Sequence, residues 1–255
     1  MILAINTSTL QFALALLSED GTLLTEYLMP GGKGHFGNLM PALDFMLNSS
    51  KSNIRDVKCI SVATGPGSFT GLRVGIALAK GLCHALGVPV VGISSLEAMA
   101  SQIPYADLPV VPVLTSRKGE AFTAQFTWND NGELIRSGDD TSLKFEDFPS
   151  LFQKPTLFVG NDYANQGPAI NKPLGSLALL APACFWNLKA SSIGSLALKK
   201  FHLGDFDDPY LLNPVYLRPP DIQPNPFSPF SNPKSPPLDQ RQLFETCNKV
   251  KDHGR

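Results

Sequence analysis

The sequence predicts an α/β fold made of two similar lobes in tandem, and three observations support this prediction. Short apolar runs alternate with segments of helical spacing along most of the 255 residues. The order of strand and helix patterns in the first half recurs in outline in the second half. A proline-rich stretch then sets the end of the chain apart. We therefore predict lobes at residues 1–105 and 106–218, followed by a separate tail at residues 219–255.

Three strand patterns open the first lobe. The run "ILAI" is short and apolar, "QFALALL" places Phe12, Leu14 and Leu16 on one face, and "TLLTEYLM" follows a Glu-Asp-Gly turn. Strands that are joined by short turns pair with their neighbours in the antiparallel sense. The first lobe is therefore predicted to begin with an antiparallel meander.

Helices and strands alternate through the rest of the first lobe. Residues Asn38 to Leu47 have helical spacing, "VKCISVAT" has a strand pattern, and "LRVGIALAKGLCHAL" has the pattern of a helix that ends at Gly87. "VPVVGI" is the fifth strand, and Ser94 and Glu97 have the spacing of a capping box at the start of the helix in "SSLEAMA". The resulting order, β-β-β-α-β-α-β, is the wiring of a ribonuclease-H-like sheet.

The second lobe is predicted to repeat this order. "VVPVLT", "AFTAQFTWN" and "GELIRSG" form a second meander, with turns at residues 117–120 and 129–132. "KFEDFPSLF" is a short helix, "TLFVGND" a strand, and another helix is expected near residues 192–201. Two ribonuclease-H-like lobes in tandem are the architecture of the actin, Hsp70 and sugar-kinase superfamily (ASKHA). A single α/β domain of another type is the alternative.

Composition limits the function classes. The formal net charge is −1, so the chain lacks the overall positive charge that attracts nucleic acid. If the protein acts on an RNA, we expect another subunit to provide most of the RNA-binding affinity. The chain has no basic leader and no apolar run of membrane-spanning length, which favours a cytoplasmic location. Its cysteines are scattered without a CxxC pair, which predicts reduced core thiols: Cys59, Cys83, Cys184 and Cys247.

The composition changes from Pro219 onward. The stretch "PPDIQPNPFSPFSNPKSPP" contains too much proline for a helix or a central strand. The sequence therefore predicts an extended and mostly disordered tail at residues 219–255.

The glycine-rich stretch "TGPGSFTGLRVG", residues 64–75, raises the question of a phosphate site. No Lys-Ser or Lys-Thr pair follows it, so it is not a Walker A loop, and Thr70 occupies the last glycine position of a dinucleotide fingerprint. A looser phosphate role remains open, because amides at a helix start attract anions. The candidate phosphate-proximal residues are Asn6, Thr7, Gly65, Gly67 and Ser68.

The same stretch also starts a helix with a face of small residues. Gly71, Gly75 and Ala79 recur at a spacing of four and therefore lie on one side. Each internal glycine costs a helix about 1 kcal/mol relative to alanine, and close packing against another element offsets that cost. Helical spacing alone favours packing against the protein's own core over packing against another subunit.

Several motifs together resemble a known family. "ILAINTS", "ATGPGSFTGLRVGIALAKGL", "GVPVVGISSLEAMA", "SRKGEAF", "FVGN" and "PVYLR" occur in order between Met1 and about Arg218, and the chain resembles the TsaB (YeaZ) family. This family is a non-catalytic relative of TsaD, which transfers a threonylcarbamoyl group to adenosine 37 of ANN-decoding tRNAs. The resemblance implies TsaD and the ATPase TsaE as partners, tRNA only indirectly, ATP or ADP only at the complex, and a homodimer when TsaD is absent.

The resemblance also implies that the first two helices form a surface that binds a partner. Part of the small-residue face of the second helix is therefore expected to contact that partner. Arg73 is expected to reach a partner carboxylate or a phosphate, with a solvated side chain as the alternative. The predicted interface residues are His35, Leu39, Leu43, Met46, Gly71, Arg73, Gly75, Leu78, Ala79 and Leu82.

Two departures from the catalytic relative predict that this chain is not an enzyme. Ser95 and Met99 stand where the relative has two metal-binding histidines, so we expect no metal and no catalytic residue here. Asn6 stands where the superfamily usually has an acidic residue, so we expect no cofactor of its own, and Asn6 and Thr7 are predicted to satisfy the turn after the first strand. The alternatives are an independent ATP-binding kinase or ATPase of the ASKHA type, and a metallopeptidase.

Overall fold

Two mixed β-sheets with the same strand order form the framework of the chain. The computed structural model describes residues 1–31 and 35–218, so the predicted tail at residues 219–255 lies outside the described residues. The strands of the first sheet are β1 (Ile2–Asn6), β2 (Phe12–Leu17), β3 (Leu23–Met29), β4 (Cys59–Gly65) and β5 (Val90–Ser94). Their order across the sheet is β3-β2-β1-β4-β5.

The first sheet confirms the predicted meander. β1 pairs antiparallel with β2, and β2 pairs antiparallel with β3, whereas β4 and β5 run parallel to β1. Every residue of β1 and β2 is buried, because helices cover both faces of the sheet. This explains why both strands read as continuous apolar runs.

The helices of the described chain flank the two sheets. Their bounds are α1 (Leu39–Ser49), α2 (Phe69–Leu86), α3 (Ser95–Ser101), α4 (Phe148–Leu151), α5 (Tyr163–Leu174) and α6 (Ala190–Leu203). α1 and α2 pack on the face of the first sheet that carries Leu3 and Ile5, and α3 and α6 pack on the face that carries Ile2 and Ala4. Among residues 1–31 and 35–218, no helix has the length and hydropathy needed to cross a membrane.

The second sheet repeats the order of the first. Its main strands are β6 (Val110–Arg117), β7 (Glu120–Thr123), β10 (Thr141–Lys144), β11 (Thr156–Gly160) and β12 (Ala178–Leu180). They lie in the order β10-β7-β6-β11-β12, while β8 (Phe126–Trp128) and β9 (Leu134–Arg136) form a side hairpin on β6. The predicted fold class, two ribonuclease-H-like units in tandem, is confirmed.

The second meander differs from its prediction in two respects. The run "AFTAQFTWN" was predicted as one strand but forms two, β7 and β8. The third strand is β10, which pairs with β7, and not the segment at residues 132–138. β9 pairs with β8 instead, because the turn at Asn129 to Gly132 closes its own hairpin. Gly119 and Gly132 both have positive φ angles, +80° and +72°, which confirms the two turns.

The sequence prediction missed one helix and located another correctly, although this second helix packs on the first sheet. α5 contains Pro168 and Pro173, which argue against a helix, yet it forms with Asp162 as its N-cap. α6 forms where a helix was expected but packs on β1 and β2 of the first sheet, although its sequence belongs to the predicted second lobe. Leu17 and Ala4 contact α6 at Gly194. The boundary between the lobes stays a prediction.

Two of the four cysteines are core thiols, as predicted. Cys59 and Cys83 are free and buried, and burial raises the pKa of Cys59 to about 12 and that of Cys83 to about 11. Cys184 is also free but exposed, so the prediction of a core position is wrong for this residue. Cys247 lies outside the described residues.

Candidate functional site

The glycine loop, residues 65–68, brings the start of α2 against the turn between β1 and β2. The amide of Ser68 donates to the carbonyl oxygen of Ser8 at 2.7 Å, and the Ser68 hydroxyl accepts from the amide of Gly71 at 3.2 Å. A Cβ atom at Gly67 would overlap the Ser8 carbonyl oxygen, and one at Gly71 would overlap the Thr7 carbonyl oxygen. Glycine is therefore required here for contact between two backbones.

The small-residue face of α2 points into the protein's own core. A Cβ atom at Gly75 would overlap the hydroxyl of Thr7, and Ala79 is fully buried. Gly65 has a φ of +121°, and a Cβ atom there would lie 2.7 Å from the carbonyl oxygen of Val215. The expectation that Gly71, Gly75 and Ala79 meet a partner is corrected, because Gly71 and Gly75 lie against Thr7 of the β1–β2 turn and Ala79 is buried in the core.

Asn6 forms hydrogen bonds within the turn between β1 and β2, as predicted. Its Oδ1 accepts from the amide and the hydroxyl of Ser8, at 3.0 and 2.8 Å, and its Nδ2 donates to the carbonyl oxygen of Leu188 at 2.8 Å. Thr7 differs from the prediction, because its buried hydroxyl has no hydrogen-bond partner among the described residues. The structure brings the five candidate phosphate-proximal residues together at one corner, where the Ser68 and Gly71 amides already donate within the chain.

The predicted interface residues of α1 are buried in the core. Leu39, Leu43 and Met46 are 1–3% exposed and pack over the first sheet. The apolar periodicity of α1 therefore marks the face that contacts the sheet, which corrects the prediction. The side chains exposed on α1 include Met40, 54% exposed, and Phe45, 61% exposed. His35 lies in a 3₁₀ turn before α1, and its side chain lies outside the described part of the structure.

The outer face of α2 carries a second series of small residues, which the sequence reasoning missed. Ala77, Gly81 and Ala85 are exposed and share a spacing of four, offset by two positions from Gly75. Of the predicted interface residues on this helix, Leu78 and Leu82 are partly buried. The sequence does show this second repeat of small residues every four positions. The spacing alone does not indicate which of the two series faces the sheet.

A segment that we name the strap, residues 205–216, crosses the edge of the first sheet beside α2. The carboxylate of Asp207 accepts from the amide of Gly92 at 2.7 Å, and the amide of Val215 donates to the carbonyl oxygen of Thr64 at 2.8 Å. Leu212 is buried next to Gly92 of β5 and belongs to the same core cluster as Val90 and Ile76. The strap is thus bound to the sheet at several points.

Arg73 joins the strap to α2. Its Nε donates to the hydroxyl of Tyr216 at 3.0 Å, and its guanidinium lies 3.9 Å from the centre of the Phe69 ring. The rings of Phe69 and Tyr216 are 5.0 Å apart. Arg73 is exposed, as expected, and it binds two side chains of its own chain, Phe69 and Tyr216. Its contact with a partner stays a prediction.

The positions that correspond to metal ligands in the catalytic relative lie in the core. Ser95 and Met99 are fully buried on α3, and the hydroxyl of Ser95 has no hydrogen-bond partner within the described chain. In residues 1–31 and 35–218, no group of three or more His, Cys, Asp or Glu side chains is placed to hold a metal ion.

The same strand order in both sheets defines the class of this protein, an α/β fold with two ribonuclease-H-like units in tandem. A family model described as "TsaD: tRNA N6-adenosine threonylcarbamoyltransferase" matches residues 30–199. The chain belongs to this family and, within it, to the TsaB (YeaZ) group.

Named relatives support the group assignment. The "tRNA threonylcarbamoyladenosine biosynthesis protein TsaB" of Bacillus subtilis (strain 168) is 33% identical over 220 residues, which cover 85% of this chain and 93% of that protein. The protein of the same name from Escherichia coli (strain K12) is 33% identical over 230 residues, with 85% and 94% coverage. The solved structure of YeaZ from Pseudomonas aeruginosa has a TM-score of 0.70 and 25% identity, and covers 85% of this chain and 99% of its own.

Proposed function

We propose that this protein is a non-catalytic subunit that binds a TsaD-type transferase, together with TsaE, and so supports threonylcarbamoylation of adenosine 37 in ANN-decoding tRNAs. Two TsaB relatives that match most of the chain are named for biosynthesis of this modified nucleoside. The transferase carries out the reaction and contacts the tRNA, and the ATP or ADP that the reaction uses is bound at the complex.

The observation that carries the proposal is the outer surface of α1 and α2, which we name the docking face. Large apolar side chains, Met40 and Phe45, are more than half exposed on α1. Small residues line the exposed side of α2, where they allow a second helix to approach to about 8 Å. Both helices lie on the same face of the first sheet, so these two features belong to one side of the protein. An exposed apolar surface of this kind is typical of a protein–protein contact.

The core supports the non-catalytic part of the proposal. Serine and methionine replace the two metal-binding histidines of the catalytic relative, at Ser95 and Met99, and both are fully buried. A hydroxyl and a thioether are poor ligands for the metals that imidazoles bind. Asn6, at the position usually acidic, is committed to hydrogen bonds within its own chain.

Capture of a tagged TsaD from the same organism tests the proposal. Met40→Glu places a charge in the docking face, and Gly81→Leu fills the space that a partner helix needs. Because both positions are exposed, and a Cβ atom at Gly81 has no neighbour within 4 Å, both variants should keep their thermal stability. We expect each variant to bind TsaD at least about tenfold more weakly, which corresponds to about 1.4 kcal/mol.

The matched control is Ile135→Glu, a similarly exposed apolar position on β9 of the second sheet, 44% exposed. It should bind TsaD like the unmodified protein. The proposal is wrong if the unmodified protein does not bind TsaD, and the docking face is wrong if both α1 and α2 variants are captured normally.

A further inference from the structure

An open groove lies on the second sheet, away from the glycine loop. It has a volume of about 540 Å³. Its walls come from the turn between β6 and β7, the start of the 3₁₀ turn after β10, and the second half of α5. The lining residues that matter here are Lys118, Lys144, Phe145, Ala169, Lys172 and Pro173. Its size is that of a typical small-molecule site, roughly 300 to 1,000 Å³.

The groove presents cationic groups that its own acidic residues do not neutralise. Glu146 is paired with Lys144 at 3.2 Å, which contributes to raising the pKa of that lysine. Glu120 forms ion pairs with Arg117 and Arg218, both at 3.6 Å, and neither arginine lines the groove. Lys118 and Lys172 have no ion pair within the described residues. Both side chains are exposed and line the groove, Lys118 from the β6–β7 turn and Lys172 from α5, so their ammonium groups are available to an anion.

The floor of the groove supplies an aromatic surface and a backbone acceptor. Phe145 is partly buried, and its ring packs 5.1 Å from that of Phe148, which fixes its position. Pro173 has no N–H group, so it cannot donate the usual helical hydrogen bond to the carbonyl oxygen of Ala169. This carbonyl oxygen is the backbone acceptor. Both Ala169 and Pro173 line the groove. A ligand with an aromatic ring and an N–H donor suits this floor.

We propose that this groove binds a mononucleotide-sized phosphate ester, with the phosphate between Lys118 and Lys172 and the base against Phe145. Lysine is an effective donor to phosphate oxygens, and an aromatic ring stacks on any nucleobase. The proposal goes beyond the proposed function, because the groove belongs to this chain alone and its test needs no transferase.

Titration of the full chain with adenosine 5′-monophosphate tests the proposal, with amide chemical shifts to locate the ligand. We expect shifts at the amides of residues 117–120, 144–146 and 169–172. Adenosine and ribose 5-phosphate should each bind more weakly than the nucleotide, because each lacks one of the two contacts. The double variant Lys118→Gln with Lys172→Gln should lower the affinity about tenfold, since two exposed ionic contacts are lost.

The control is Lys154→Gln with Lys199→Gln, two exposed lysines outside the groove, which should leave the affinity unchanged. The proposal is overturned if the shifts fall at the glycine loop instead of the groove, or if both double variants bind equally well. It is also overturned if adenosine binds as tightly as the nucleotide, or if bulk tRNA shifts the groove amides while the nucleotide does not.

Discussion

Gly75 and Gly81 are two glycines of one helix with opposite surroundings. A Cβ atom at Gly75 would overlap the Thr7 hydroxyl, whereas one at Gly81 would meet nothing within 4 Å. We expect Gly75→Ala to lower the free energy of unfolding by about 1 to 3 kcal/mol, as overpacking of a core does. Gly81→Ala should raise it by about 0.5 to 1 kcal/mol through helix propensity. Urea denaturation measures both changes.

Thr7 provides the internal control for this pair. Its hydroxyl has no hydrogen-bond partner among the described residues, so Thr7→Ala removes the overlapping atom without breaking a bond that the structure shows. In the Thr7→Ala background, Gly75→Ala should therefore cost clearly less than in the original chain. Equal destabilisation in both backgrounds would show that Thr7 is not the reason for glycine at position 75.

At the level of elements, periodicity and turn chemistry predicted most of the fold. The meander of the first sheet and the end of α2 at Gly87, whose φ is +67°, agree with the structure because local rules determine them. α5 was missed because Pro168 and Pro173 argue locally against a helix, and tertiary packing overrides them. β10 and β12 were missed because both are short edge strands in which no residue is buried, so their sequences lack the mark of a buried face.

The site was less predictable than the fold. Spacing correctly placed Gly71, Gly75 and Ala79 on one face, but the neighbour of that face is Thr7, more than 60 residues earlier in the chain. Nothing local in the sequence says which side of a helix meets such a distant turn. For the same reason, apolar periodicity in α1 identified Leu39 and Leu43 without showing that they face the sheet.

The strap offers a prediction at this level. Tyr216→Ala removes the ring contact with Phe69 and the hydrogen bond from Arg73. An aromatic pair is worth about 0.5 to 1.5 kcal/mol, so the strap should open more often. Hydrogen exchange at the amides of Val215 and Gly92, which donate across the strap, should become roughly 2- to 10-fold faster.

Tyr210→Ala is the matched control, because this tyrosine lies in the strap and is 84% exposed. Its removal should leave both amides unchanged, and neither variant should alter exchange in β1 and β2. The same acceleration in both variants would mean that the Tyr216 contacts do not hold the strap.

At the level of the whole molecule, the two sheets share one core. A single cluster of buried side chains joins Ala4 and Leu17 of the first sheet to Phe126 and Val159 of the second. Helix α6, from the end of the described chain, supplies Ile193 to the same cluster. Because α6 covers β1 and β2, the first sheet depends on residues that come after the second sheet in sequence.

This dependence predicts the behaviour of a fragment. Residues 1–105 contain the whole first sheet but lack α6, so the apolar face with Ala4, Ala13 and Leu17 would lose its cover. Exposed apolar surface of this kind leads to loose packing and aggregation. We expect the fragment to bind a hydrophobic dye and to unfold without a cooperative transition, whereas residues 1–218 unfold cooperatively in one transition.

A substitution in the full chain separates loss of α6 packing from truncation. A Cβ atom at Gly194 would overlap the side chain of Leu17, so Gly194→Leu should force α6 away from β2 and lower the thermal midpoint. The matched control is Ser192→Leu, at a partly exposed position of the same helix, which should change the thermal midpoint less. Two results together would mean that the first sheet folds without α6. The fragment of residues 1–105 would unfold as sharply as the longer chain, and the Gly194→Leu variant would have unchanged stability.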